Sequence, residues 1–174
     1  AIPAILQYLL HTVQFLIDTR MVSDASGGGD ASLASLNLVS PLCWSLTTIF
    51  TVTAIGAGAV VARRTGEGSA LRVSQALWTS LGLALVLGMM VTGLCVAFRD
   101  VGIAWLGQEM FEQDPQSRAQ ILDEASGYLT WFLLLFPLRA VVVTLESTVR
   151  GAGESLLPVA GGILANLVNI IGNA

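Results

Sequence analysis

Few side chains in this sequence are able to do chemistry, and most of those that are lie inside apolar runs. In AIPAILQYLLHTVQFLIDTRMV, residues 1–22, His11, Gln14 and Asp18 stand three and four apart, which on a helix puts them in one stripe. An ionised carboxylate at membrane depth costs roughly 2.5–3.5 kcal/mol on insertion scales, so Asp18 reads as an ion, proton or substrate site. A plainer role also fits, in which Asp18 pairs with Arg20 among headgroups and ends the span. Arg139, two residues after Pro137, sits in mid-run. A guanidinium that deep does not reach across the roughly 15 Å to either interface, so it calls for an acceptor in a bundle or wet cavity, as a functional group or as packing glue. Glu146 shares its helix face, but about 10.5 Å along the axis separates the two backbones. Asn166, Asn169 and Asn173 place three amides in one apolar stretch, and all three want partners. One histidine, no HExxH and no GxSxG leave no metal site, no catalytic residues and no cofactor to assign. Cys43 and Cys95 fall inside apolar runs and read as free thiols that pack as small hydrophobes.

The composition says what kind of elements must position these groups. Of 174 residues, 54% are hydrophobic and 11% charged, with a mean hydropathy of +0.75. Soluble domains carry about 25% charged residues, so the class is an integral membrane protein with the lipid bilayer as its first partner. There is no lysine and the pI is near 4.8, which argues against a nucleic-acid surface. The chain starts at Ala1 and stops inside an apolar run, and we read it as a piece of a longer protein.

Hydropathy predicts an all-α fold of about five transmembrane helices, at residues 1–22, 33–62, 71–98, 128–149 and 156–174. The loop Ser23 to Ser32, with three consecutive glycines, cannot continue a helix. The second run carries Pro41, a bend, and Asn37, Ser40, Ser45, Thr47, Thr48, Thr51 and Thr53. That is more amide and hydroxyl character than lipid contact favours, so one side of it is expected to face a cavity. Ala54, Gly58 and Ala62 repeat every four residues, the small-residue spacing that lets helices approach closely. Arg63, Arg64 and Arg72 make the next loop the most basic point of the chain. By the positive-inside rule it is cytoplasmic, which puts the amino terminus inside and the acidic stretch Arg99 to Glu124 outside. Within that stretch VGIAWLG is short and apolar enough to lie along the interface, anchored by Trp105.

Several phrases taken in order resemble the multidrug and toxic compound extrusion family. They are Pro3 early in the first span, VQFLIDTRMV around Asp18, SLASLNLVSPL entering the second span, AVVARRTGEG leaving it, TVRGAGES before the fifth span, and NIIGN with Asn169 and Asn173. The resemblance implies an inner-membrane, ion-coupled antiporter of twelve spans in two six-helix lobes, exporting cationic or amphipathic compounds. This chain would be part of the amino-terminal lobe, with the sixth span and the carboxy-terminal lobe as its partners. It further implies that Asp18 binds the coupling ion, H+ or Na+, with the positions of Asn169 and Asn173. Since Asn173 stands where some members have an aspartate, a proton is the safer ion here. Pro3 would bend the first helix, Pro41 and Pro137 the second and fourth. His11, Gln14, Asn37, Thr51 and Arg139 are the remaining candidates for lining the cavity or touching substrate. A lipid-linked sugar flippase of the same superfamily and a non-transporting membrane scaffold are the alternatives.

Overall fold

The computed structural model describes residues 5–6, 9–10, 12–14, 16–17, 19–20, 30–108 and 114–172, and every secondary-structure element among them is helical. The described residues of 5–20 are helical. There follow α1 (Asp30–Gly66), α2 (Ala70–Ala97), α3 (Arg99–Gln108), α4 (Pro115–Gly151) and α5 (Leu156–Gly172). α2 and the stretches Leu33–Gly66 and Pro115–Gly151 are long and apolar enough to cross a membrane, and α5 is a shorter apolar helix. The chain is therefore an all-α, multi-pass membrane protein.

Helix starts and stops follow local chemistry rather than the edges of the hydrophobic runs. Gly68 at φ +70° and Gly153 at φ +98° close the carboxyl ends of α1 and α4, in a conformation that side chains with a Cβ rarely adopt. After α4 the amides of Gly153 and Glu154 return to the carbonyls of Arg150 and Val149, satisfying the last turn. The fourth helix begins 13 residues before the expected position 128. Asp114 caps it by accepting from the amides of Gln116 and Ser117 at 3.2 and 3.4 Å, and Pro115 fits its first turn. Residues 99–124, expected as an acidic loop, are thus largely helical. At 37 residues α4 is about 55 Å long against a hydrocarbon core of about 30 Å, so its first turns extend beyond the bilayer. α1 likewise runs past the predicted limits, from Asp30 to Gly66.

α4 is the element on which the others pack. Ile121, Ala125, Leu129, Leu133, Phe136, Ala140, Thr144 and Ser147 are buried at steps of four and three, one continuous stripe along the helix. α1 lies parallel to it: Val39 and Cys43 meet Ala125, Leu129 and Leu133, and Phe50 meets Phe136 edge to face at 5.0 Å. Farther along, Gly58 lies so close to Ser147 and Gly151 that a Cβ built on Gly151 would run into the Gly58 carbonyl. Of the expected small-residue face, Ala54 and Gly58 are buried as read, but Ala62 is exposed and Val61 takes the next inward place. A helical face advances by three as well as by four.

α2 runs antiparallel to both and docks where a proline inside α4 removes a backbone donor. Pro137 has no N–H, which leaves the Leu133 carbonyl without its intrahelical partner. The Thr92 hydroxyl donates to that carbonyl at 3.0 Å. One turn earlier, a Cβ on Gly88 would come within 2.9 Å of the Pro137 Cα, so only glycine lets α2 approach this closely. The short α3 crosses the far end, sends Ile103 into the core and leaves Trp105 exposed. There Arg99 donates to the Thr130 hydroxyl at 3.0 Å, joining the α3 end to α4.

Replacing Thr92 by Val should strip the Leu133 carbonyl of its donor and destabilise the protein by about 1–3 kcal/mol, read as a lower thermal unfolding midpoint in detergent. Pro137→Ala restores a backbone N–H at that spot, so Thr92→Val with Pro137→Ala should recover most of the loss. A double variant as unstable as the sum of the two single changes would show that the hydroxyl and the proline are not linked.

Candidate functional site

Two surfaces carry the polar groups of α1 and α5. The first is the face of α1 turned away from α4, where Asn37, Ser45, Thr48 and Thr51 are exposed, as is Pro41. The hydroxyls there are not free donors. Those of Ser40, Ser45, Thr47, Thr48, Thr51 and Thr53 each donate to the carbonyl four residues earlier, at 2.6–3.4 Å. A hydroxyl whose proton is spent on its own helix presents only oxygen lone pairs outward. The surface is therefore uncharged, studded with acceptors and backed by methyl groups.

The second surface is on α5, where Gly162, Asn166 and Asn169 are spaced four and three apart and share one face. Asn166 is buried, and its amide donates to the Gly162 carbonyl at 2.9 Å while its own carbonyl oxygen has no partner among the described residues. A buried amide oxygen left without a donor is uncommon and asks for a reason. Gly162 provides the contact with the opening segment: a Cβ built there would touch the Leu10 side chain at 3.5 Å. The amide face of α5 is thus turned toward the helical stretch that carries Gln14, itself half-buried. Asn169 is half-buried and hydrogen-bonded or otherwise engaged.

Pro3, His11, Asp18 and Asn173 lie outside the described residues. Arg139 is exposed and turned out of the packed stripe of α4, and Glu146, seven residues on, pairs with Arg150 at 3.9 Å. Pro137 lies half-buried inside α4 and Pro41 inside α1. Sequence reading placed Asn166 among three amides without singling it out. The signal was present, since Gly162 one turn before it marks where a neighbouring helix comes close.

Charge is distributed unevenly between the two ends of the bundle. Thr65, Gly68 and Ser69 line one hollow together with Ala152, so the α1–α2 and α4–α5 turns are at the same end. Arg63, Arg64, Arg72 and Arg150 gather there with Glu67, Glu146 and Glu154, whereas Arg99 and Arg118 at the other end face Asp100, Asp114, Asp123 and Glu124. The Glu67 carboxyl is held below its ordinary range first by its hydrogen bond from Arg64, then by Arg72 and the surrounding positive charge.

The MatE family model matches residues 3–174, and the chain belongs to that family of membrane transporters. It is also similar to the probable multidrug resistance protein NorM of Thermotoga maritima, with 22% identity over 170 residues. Those residues are 98% of this chain and 34% of that protein, so the chain spans about a third of the length of the curated relative it matches. No solved structure matches.

Asn166→Leu separates a packing role from a ligand role. Because the amide gives up one hydrogen bond and removes one unsatisfied oxygen, the unfolding midpoint should shift by an amount equivalent to about 1 kcal/mol or less. Transport by the full-length protein should nevertheless fall at least fivefold in a vesicle efflux assay; unchanged efflux would make Asn166 a packing residue.

Proposed function

We propose that this chain is part of the amino-terminal lobe of an ion-coupled antiporter that exports cationic or amphipathic compounds across the inner membrane, with H+ the favoured coupling ion. What carries the reading is the amide face of α5 meeting the opening segment at Leu10, within a chain matched by the MatE model over residues 3–174. Successive spans alternate in direction, so the opening helix and α5 run parallel. The family resemblance sets Asp18 with the positions of Asn169 and Asn173. On this reading Asp18 is the coupling carboxylate and the two asparagines are its neutral neighbours.

Two amides and one carboxyl suit a proton better than a metal cation. A sodium ion favours several oxygens and gains from a second negative charge, whereas a proton needs only one group that changes charge. The cargo follows from the lone-pair surface of α1. Asn37, Thr48 and Thr51 with their methyl and methylene neighbours would receive a flat or greasy cation without fixing its orientation, which suits a broad substrate class. The arginine-rich end belongs on the cytoplasmic side by the positive-inside rule, which sets the amino terminus inside. The sixth span and a second lobe would complete the transporter and cover the open face of α1.

Asp18→Asn in the full-length protein fixes the uncharged state. Membrane insertion and folding should survive, while efflux of a fluorescent cation driven by a pH gradient should drop at least tenfold and lose its pH dependence. Gln14→Ala and Asn169→Ala should displace the pH profile without abolishing efflux. If Asp18→Asn keeps near-normal, pH-dependent efflux, the coupling group lies elsewhere and this helix is scaffold.

A further inference from the structure

Outside the proposed transport path, the richest unassigned chemistry is at the α1–α2 turn. A single carboxylate there is shared by three guanidinium groups. Glu67 accepts from Arg64 at 2.9 Å and from Arg72 at 3.2 Å on one oxygen, and Arg63 is 3.4 Å from the other. Three arginines against one glutamate leave a surplus of two positive charges. Each guanidinium has five N–H donors, so most of them are not used by Glu67. Beside the cluster is an open groove of about 450 Å³, lined by Arg64, Arg72, Gln75, Thr79 and Ser80 with Val60 on its α1 wall.

Below the groove the same face of α2 changes character with depth. Arg72, Gln75 and Thr79 are followed at helical spacing by Leu83, Val86 and Met90, all exposed and apolar. From Arg72 to Met90 is about 27 Å of helix. A cation with spare donors, then hydroxyls and an amide, then bare hydrocarbon surface is the profile of one amphipathic molecule standing upright in a leaflet. Neither a soluble anion nor a zwitterionic lipid matches both halves, since the first leaves the apolar stretch unused and the second leaves the excess charge unanswered.

We propose that the α1–α2 groove binds the phosphodiester headgroup of an anionic phospholipid, held by Arg64 and Arg72 with Thr79 or Ser80, and with an acyl chain along Leu83, Val86 and Met90. Glu67 has two roles in this site. It holds the two guanidinium groups side by side, and it competes with the phosphate for their donors. Removing the competitor should therefore tighten lipid binding, which a turn maintained only by salt bridges would not do.

The experiment is a native mass-spectrometric titration of the delipidated full-length protein in detergent with dioleoyl phosphatidylglycerol, and separately with dioleoyl phosphatidylcholine. Phosphatidylglycerol should bind at least fivefold more tightly, and less so as salt is raised. Arg64→Gln with Arg72→Gln should weaken phosphatidylglycerol at least fivefold, to the level of phosphatidylcholine, and leave phosphatidylcholine unchanged. Glu67→Gln should strengthen phosphatidylglycerol about two- to fivefold, and it keeps the test decisive even where the double variant fails to fold. Inorganic phosphate and glycerol phosphate, added as competitors at millimolar concentration, should displace less than half of the lipid. Full displacement by either would reassign the groove to a soluble phosphate. Equal binding of the two lipids, or a Glu67→Gln variant no tighter than the parent, would overturn the proposal. Because the readout is lipid occupancy, it is independent of whether Asp18 couples transport.

Discussion

In hydrocarbon a helix gains nothing by hiding a leucine from its surroundings, so two helices hold together only where their backbones come close or a polar group finds a partner. This constraint explains why the contacts of α4 that matter most involve its smallest residues and its proline. Gly58 against Ser147 and Gly151, and Gly88 against Pro137 and Ala140, bring main chains together at two levels of the bundle. The Thr92 hydroxyl then supplies the donor that Pro137 lacks. The large exposed side chains, including Trp44, Trp78 and Trp131, are left for lipid or for the rest of the protein.

Much of this architecture was legible in the sequence, because length and hydropathy are what the bilayer itself selects. What escaped was set by chemistry that hydropathy does not measure. Asp114 and Pro115 begin α4 well outside the apolar run, and the aspartate, proline and following polar residues form a start signal that a count of apolar residues passes over. Ala62 carried the four-residue repeat one step too far, and the inward face went to Val61 instead. The role of Thr92 could not be read, since its partner carbonyl lies 41 residues away and nothing local to either one announces the other.

The site shows the same division. The polarity of α1 was visible, and so was the demand of the α5 amides for partners. Which hydroxyls remain available was not. Of the seven polar residues read in the second run, the six hydroxyls back-bond to carbonyls one turn earlier, which spends their donors and leaves acceptors. Asn166 goes the other way, because its amide is satisfied within the helix and its carbonyl is not. Arg139 stands in the middle of its apolar run and called for an acceptor, yet it is turned out of the stripe that holds this bundle together.

On the proposed reading the chain is part of a transporter lobe, which must hold firm within itself and yet move against its counterpart, and these helices separate the two demands by residue type. On the packed side of α4, glycine contacts and a bridged proline admit no substitution without backbone displacement, so α1, α2 and α4 should travel as one body. On the opposite side of α1 the polar groups are already satisfied along their own helix. They need no fixed partner to be stable, and water, substrate or another helix can replace one another there at small cost. α5 stands between these regimes. It rests on the bundle through buried Pro158 and Val159, and its amide face reaches toward the opening helix through a glycine that leaves room for movement. On the proposed reading, a charge change on the opening helix would act on its lightly packed neighbour α5, and the α1–α2–α4 body would respond as a unit.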